Sequence, residues 1–141
     1  MNEPITSITD LMTIFQTNSS NELMVTSYNL DDGVWTTATP LINGLTGSNP
    51  VLATYNSMFY AAYQPWNGKV VGQLYMATSA DGLTWTNSSG PICTNIGGPH
   101  CAMTEHNGTL FIIYQEINSA RLCTIYLNEY GEWTAPAYIS S

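Results

Sequence analysis

A glycine turn followed by a tryptophan returns three times along this chain at nearly constant spacing. The instances are DDGVWT (31–36), SADGLTWT (79–86) and EYGEWT (129–134). Gly33, Gly82 and Gly131 are each 49 residues apart, and Trp35, Trp85 and Trp133 follow at spacings of 50 and 48. A proline comes soon after each, at Pro40, Pro91 and Pro136. Three further anchors keep the same order. An apolar run ends in glutamine at LMTIFQ (11–16), MFYAAYQ (58–64) and LFIIYQ (110–115). Between these runs and the turns lie ELMVTSY (22–28), QLYMATS (73–79) and RLCTIYL (121–127). Ahead of them come PITSIT (4–9), PVLATY (50–55) and PHCAMTE (99–105). A period near 50 residues marks a repeat architecture, in which each unit buries its apolar face against its neighbours.

Each unit reads as four short strands. The first follows a proline, near residues 5–9, 51–55 and 100–105. The second is the apolar run ending in glutamine. The third starts at Leu23, Leu74 and Leu122, and the fourth carries the tryptophan. Asn56-Ser57 and Asn107-Gly108 supply hairpin chemistry between the first two strands. No segment holds a 3.6-residue period, so no helix is expected. The expected fold is all-β: a β-propeller with three four-stranded blades per chain, about 1–46, 47–96 and 97–141. A β-sandwich offers no reason for the fixed period.

Propellers close with about 4–8 blades. Three leave an apolar flank open at each end, so two chains are expected to join into a six-bladed ring as a homodimer.

Composition narrows the partners. Only 9% of residues are charged and 44% are hydrophobic, which suits strands and turns more than surface helices. Two cations, Lys69 and Arg121, face ten carboxylates for a net charge of −8. Phosphate binding needs a basic patch, so no nucleic acid partner is expected. No apolar run is long enough to cross a membrane as a helix, so no membrane insertion is expected either. The first residues lack the basic and apolar regions of a secretory leader, which leaves localisation between the cytoplasm and an unconventional export route. The odd set Cys93, Cys101 and Cys123 reads as free, buried thiols, although Cys93 and Cys101 are near enough in sequence to bridge. No cofactor or metal is expected, since the grouping of His100, Cys101 and Glu105 matches no zinc spacing.

SADGLTWT resembles the Asp-box, or BNR-type, repeat of sialidase-like propellers and of bacterial and fungal lectins. The likeness extends through all three units, although the first has Asp32-Gly33 without the serine and the third has Tyr130 in place of the aspartate. It implies that Ser79, Asp81, Gly82, Thr84 and Trp85 form a structural turn on the face away from the ligand. A sialidase of that superfamily holds its substrate carboxylate with three arginines, and this chain has Arg121 alone. No paired carboxylates of glycosidase type are evident among Glu22, Glu105 and Glu116. The chain is therefore expected not to be an enzyme.

The expected function is carbohydrate binding by a multivalent lectin, with glycans or glycoconjugates as partners. Rival readings are a protein-interaction scaffold and a degenerate glycosidase-like propeller. Sugar rings need aromatic faces for their apolar side and amides or carboxylates for their hydroxyls. Blade topology puts QTNSSN (16–21), QPWNGKVVG (64–72) and QEINSAR (115–121) on one face, with the links INGLTGS (42–48) and TNIGG (94–98). The candidate ligand residues are Trp66 as an exposed stacking platform, with Asn67, Gln16, Gln64, Gln115, Glu116, Arg121 and His100. Trp35, Trp85 and Trp133 are candidates for pockets between blades, or packing elements there. The glutamines could instead cap nearby backbone, Arg121 could pair with Glu116, and Tyr60, Tyr63 and Tyr114 are expected in the core.

Overall fold

The computed structural model describes residues 11–68 and 72–139. The strand expected near residues 5–9 and the middle of the 64–72 loop fall outside the described residues. Those described form three antiparallel sheets in chain order, with no helix among them. The first holds β1 (Leu11–Gln16), β2 (Leu23–Asn29), β3 (Val34–Trp35) and β4 (Thr39–Pro40). The central sheet holds β5 (Gly47–Tyr55), β6 (Met58–Pro65), β7 (Gln73–Ser79), β8 (Thr86–Asn87) and β9 (Cys93–Thr94). The third holds β10 (Ile96–His106), β11 (Thr109–Glu116), β12 (Leu122–Tyr126) and β13 (Ala137–Tyr138).

The outermost strand breaks into pieces in the first two sheets. β3 and β4 both pair with β2, and β8 and β9 both pair with β7. The third repeats this more loosely, with a bridge from Leu127 to Trp133 and then β13 on β12. Proline at or beside the break explains it, because proline cannot donate to a ladder and is tolerated at a sheet edge.

Strand alternation sends every second side chain to each face, and the three sheets stack in series. On β1 and β2, Ile14, Leu23 and Val25 meet Ala61, Tyr63, Ala77 and Trp85 of the central sheet. The other face of the central sheet presents Ala62, Leu74 and Met76 to Ile112, Tyr114, Cys123 and Ile125 of the third. Each large apolar side chain so covered contributes roughly 1.5–3 kcal/mol. Tyr63 and Tyr114 lie in these cores, and Tyr60 packs partly buried beside one of them. The three thiols are free; Cys93 and Cys123 are buried and Cys101 is half-buried. Burial pushes the Cys101 thiol up to about 11.

The layout gives each sheet two ends. The turn end carries the hairpins at 56–57 and 107–108 and the glycine–tryptophan turns. The link end carries the loops between second and third strands and the connections from sheet to sheet.

Candidate functional site

At the turn end the polar groups are consumed locally. In the central turn, the Ser79 hydroxyl donates to Asp81 Oδ1 at 3.0 Å and accepts from the Gly82 amide at 2.8 Å. Asp81 Oδ1 also accepts the amides of Leu83 at 2.9 Å and Thr84 at 2.8 Å. The Thr84 and then the Leu83 amide hold the Asp81 carboxyl below the usual carboxylate range. The Trp85 indole N–H donates to the Gly82 carbonyl at 3.1 Å, and its ring is buried against the sheet. The flanking turns reach the same result with an asparagine. Asn29 Oδ1 accepts the amides of Asp31 and Asp32, and Asn128 Oδ1 accepts those of Tyr130 and Glu132. Sequence reading passed over Asn29 and Asn128. Their signal is an asparagine three or four residues before a glycine, the spacing of an Asx turn.

The tryptophans of these turns differ. Trp35 is exposed and tilted over Tyr28 with ring centroids 5.3 Å apart, while Trp133 is half-buried against the third sheet's core. Glu105 and His106 also sit at the turn end, where Glu105 Oε1 accepts the Gly108 amide. Glu105 therefore stands at the far end of β10 from His100.

The link end is built differently. β5 and β10 both lose register as they begin, between Ser48 and Val51 and between Ile96 and Cys101. Such bulges re-aim side chains and recur beside functional sites. Asn49 takes a left-handed φ of 52° in the first bulge, and His100 is exposed in the second. Gly97 is obligatory there, since a Cβ would lie 2.3 Å from the Ile117 Cα. Each connection is clamped between two loops. Gly47 donates to the Asn21 carbonyl and Thr46 Oγ1 to the Trp66 carbonyl at 3.0 Å. One repeat later, Ile96 donates to the Gly72 carbonyl and the Ile117 amide to the Asn95 carbonyl.

The three recurring glutamines diverge here. Gln16 Nε2 donates to Asn21 Oδ1 at 2.6 Å and Gln115 Nε2 to the Ala120 carbonyl at 3.2 Å, so both cap their own short loops. Gln64 begins a longer loop and reaches across instead, donating to the Gly98 carbonyl of the third sheet at 3.0 Å. That bond fixes the amide orientation, because only an N–H can face a carbonyl. Gln64 Oε1 is left buried without a partner among the described residues, and so is the hydroxyl of Ser48. Ser48 on β5 and Gln64 on β6 are register partners, 4% and 2% exposed respectively. Gln115 lies against Gly98 from the other side.

The remaining candidates flank this point. Trp66 is half-buried, pinned by its backbone to Thr46, and Asn67 beside it is exposed. Glu116 is half-buried, and its Oε2 accepts hydrogen bonds from the Ser119 hydroxyl and from the Tyr138 hydroxyl at 3.3 Å. The Arg121 guanidinium lies over the Tyr138 ring, 4.9 Å from its centroid. The link end thus carries Ser48, Gln64, Trp66, Asn67, His100, Gln115 and Glu116, with Gln64 alone among them crossing from the central to the third sheet; Trp66 is tied to the connection from the first sheet, and Gln115, opposite Leu122, shares the outer face of the third sheet with Ile113. Gln16 belongs to the first sheet's loop, and Trp35, Trp85 and Trp133 lie at the opposite end.

No protein-family model matches the sequence, and neither does any curated protein. Solved structures do match in fold. An α-L-arabinofuranosidase from Clostridium thermocellum superposes with a TM-score of 0.66 at 15% identity, covering 92% of this chain and 49% of its own. A family 32 β-fructofuranosidase from Bombyx mori gives 0.66 at 12% identity, covering 99% and 34%. A Penicillium chrysogenum α-L-arabinanase complexed with arabinobiose gives 0.64 at 12%, covering 94% and 46%. The chain shares the β-propeller fold of these glycoside hydrolases. It spans between a third and a half of their lengths. The expectation that the chain is not an enzyme is corrected by these neighbours, all of them glycoside hydrolases. Counting arginines removes only the sialidase reaction; propeller glycosidases working through carboxylates escape that argument.

Proposed function

We propose that this chain is the saccharide-holding part of a glycoside-hydrolase-type propeller, with its site at the link end between the central and third sheets. The buried, unpartnered pair of Ser48 Oγ and Gln64 Oε1 carries the reading. Leaving a buried polar group unpaired costs about 1–3 kcal/mol, so two neighbouring cases call for a reason beyond folding. A saccharide hydroxyl, directly or through one bridging water, satisfies both atoms. Asn67 and His100 supply further hydroxyl partners, and the Trp66 ring supplies an apolar face.

Hydrolysis of a glycosidic bond needs a carboxyl acid and a second carboxylate. Glu116, oriented by Ser119 and Tyr138, is the one described carboxylate at this junction, so the proposal is confined to holding the saccharide. Calorimetric titration with arabinosides, fructosides and galactosides tests the reading. Binding of at least one is expected, weakened about tenfold in Gln64→Leu. Absence of binding to all of them overturns it.

A further inference from the structure

The sequence holds three Asn-Gly pairs, at 43–44, 67–68 and 107–108. Such a pair loses its side-chain amide more readily than other asparagine pairs, because glycine leaves the next backbone nitrogen free to approach the asparagine Cγ. All three asparagines are exposed. A Cβ at Gly44, Gly68 or Gly108 would meet nothing within 4 Å, so crowding does not tell the pairs apart. Their polar neighbours do.

Asn107 and Gly108 form the two-residue hairpin between β10 and β11, with φ of 49° and 77°. The Gly108 N–H donates to Glu105 Oε1 at 2.6 Å. Asn107 Nδ2 lies 3.1 Å from His106 Nε2; an amide nitrogen only donates, so the ring nitrogen accepts there. A carboxylate thus holds the proton of the nitrogen that would attack, and an imidazole meets the nitrogen that would leave. Among the described residues, Gly44 and Gly68 donate to no carboxylate, and Asn43 and Asn67 bond to no imidazole.

We propose that Asn107 is a site of succinimide formation, where Glu105 and His106 hasten loss of the side-chain amide. The Gly108 nitrogen bonds to Asn107 Cγ as its proton passes to Glu105. Cγ is then tetrahedral, and Nδ2 has become an amine with a free lone pair. His106, as imidazolium, delivers a proton to Nδ2, the Cγ–Nδ2 bond breaks, and ammonia leaves. Glu105 and His106 regain their starting forms by exchange with water. Water then opens the ring: at one carbonyl it leaves an aspartate, at the other an isoaspartate.

The product alters a contact between sheets. The Gly108 carbonyl accepts from the Tyr55 hydroxyl at 3.1 Å, tying the third sheet's hairpin to that of the central sheet. An isoaspartate adds a main-chain carbon just before Gly108 and displaces this carbonyl. Either product puts a second carboxylate beside Glu105. The site lies at the turn end, so the proposal is independent of saccharide binding.

Incubating the folded chain near neutral pH, then digesting it and following the three pairs by mass spectrometry, tests it. Asn107 is expected to convert about tenfold or more faster than Asn43 and Asn67. In urea, where Glu105 and His106 lose their placement, the three rates are expected to converge. Glu105→Gln is expected to bring the folded rate at Asn107 down towards that of the other pairs, and His106→Phe to slow it as well. Both variants change exposed side chains, and far-UV circular dichroism checks that the fold is kept. Three outcomes overturn the proposal: a folded rate at Asn107 no higher than at Asn43 and Asn67, an advantage that persists undiminished in urea, or a folded Glu105→Gln protein that converts as fast as wild type.

Discussion

The two ends of these sheets use polar groups in opposite ways. At the turn end, Ser79, Asp81, Asn29 and Asn128 close hydrogen bonds inside their own turns. At the link end, Ser48 and Gln64 keep buried oxygens with no partner among the described residues. Their abundance of Asn, Ser and Gln makes the ends look alike in composition. What separates them is satisfaction: one end spends its hydrogen bonds on folding, and the other leaves two buried oxygens unpaired among the described residues, which is the basis of the proposed saccharide site.

Substitutions at each end should therefore separate stability from binding. The largest effect is expected from Gly97→Ala, whose Cβ would strike the Ile117 backbone. Overpacking against main chain should cost about 1–3 kcal/mol in urea unfolding and distort the site as well. Gly98→Ala, with its nearest contact at 3.5 Å, is the mild control. A Gly97→Ala protein as stable as wild type would break the account of that bulge.

Next comes Asp81→Ala, which strips two backbone amides of their acceptor. A loss of about 1–2 kcal/mol is expected, as for a lost cap, with saccharide affinity unchanged. Ser48→Ala should show the reverse. It removes an unpaired hydroxyl, so unfolding free energy should hold or rise slightly, while saccharide binding weakens about tenfold. A Ser48→Ala protein that loses stability but binds normally would erase the contrast between the ends.

The smallest effect is in pH. The Asp81 carboxyl sits below its ordinary value of 3.8 when folded. Its contribution is present above that value and is lost as pH falls through the lower folded one. Wild type should therefore lose stability more steeply than Asp81→Asn below about pH 4 in acid titrations. Parallel curves would remove Asp81 from the turn's energetics.

Local patterns were readable from the sequence, and contacts between sheets were not. The runs at 11–16, 58–64 and 110–115 read as strands because each is a short, uninterrupted apolar stretch with aromatic residues and no glycine or proline, bounded by turn residues. Gly33, Gly82 and Gly131 adopt the positive φ that their turns require. The glutamines show where reading stops. Gln16, Gln64 and Gln115 hold one place in the repeat, yet loop length decides their partners. Short loops let Gln16 and Gln115 cap five residues on, whereas Gln64 reaches 34 residues ahead to Gly98. The bulges at Ser48 and Gly97 left only the glycines of their links as a local mark, and what those glycines pack against is set where a connection crosses from one sheet to the next. Trp66 was expected to be exposed and is half-buried, its backbone tied to Thr46 in that same crossing.

Titrating the isotope-labelled chain with arabinobiose while following amide resonances tests the saccharide site most directly. The account predicts that shifts concentrate on the Gln64 side-chain amide and the backbone of Gly98 and His100, with Gly33, Gly82 and Gly131 unmoved. Shifts centred on the glycine–tryptophan turns, with Gln64 silent, would contradict it.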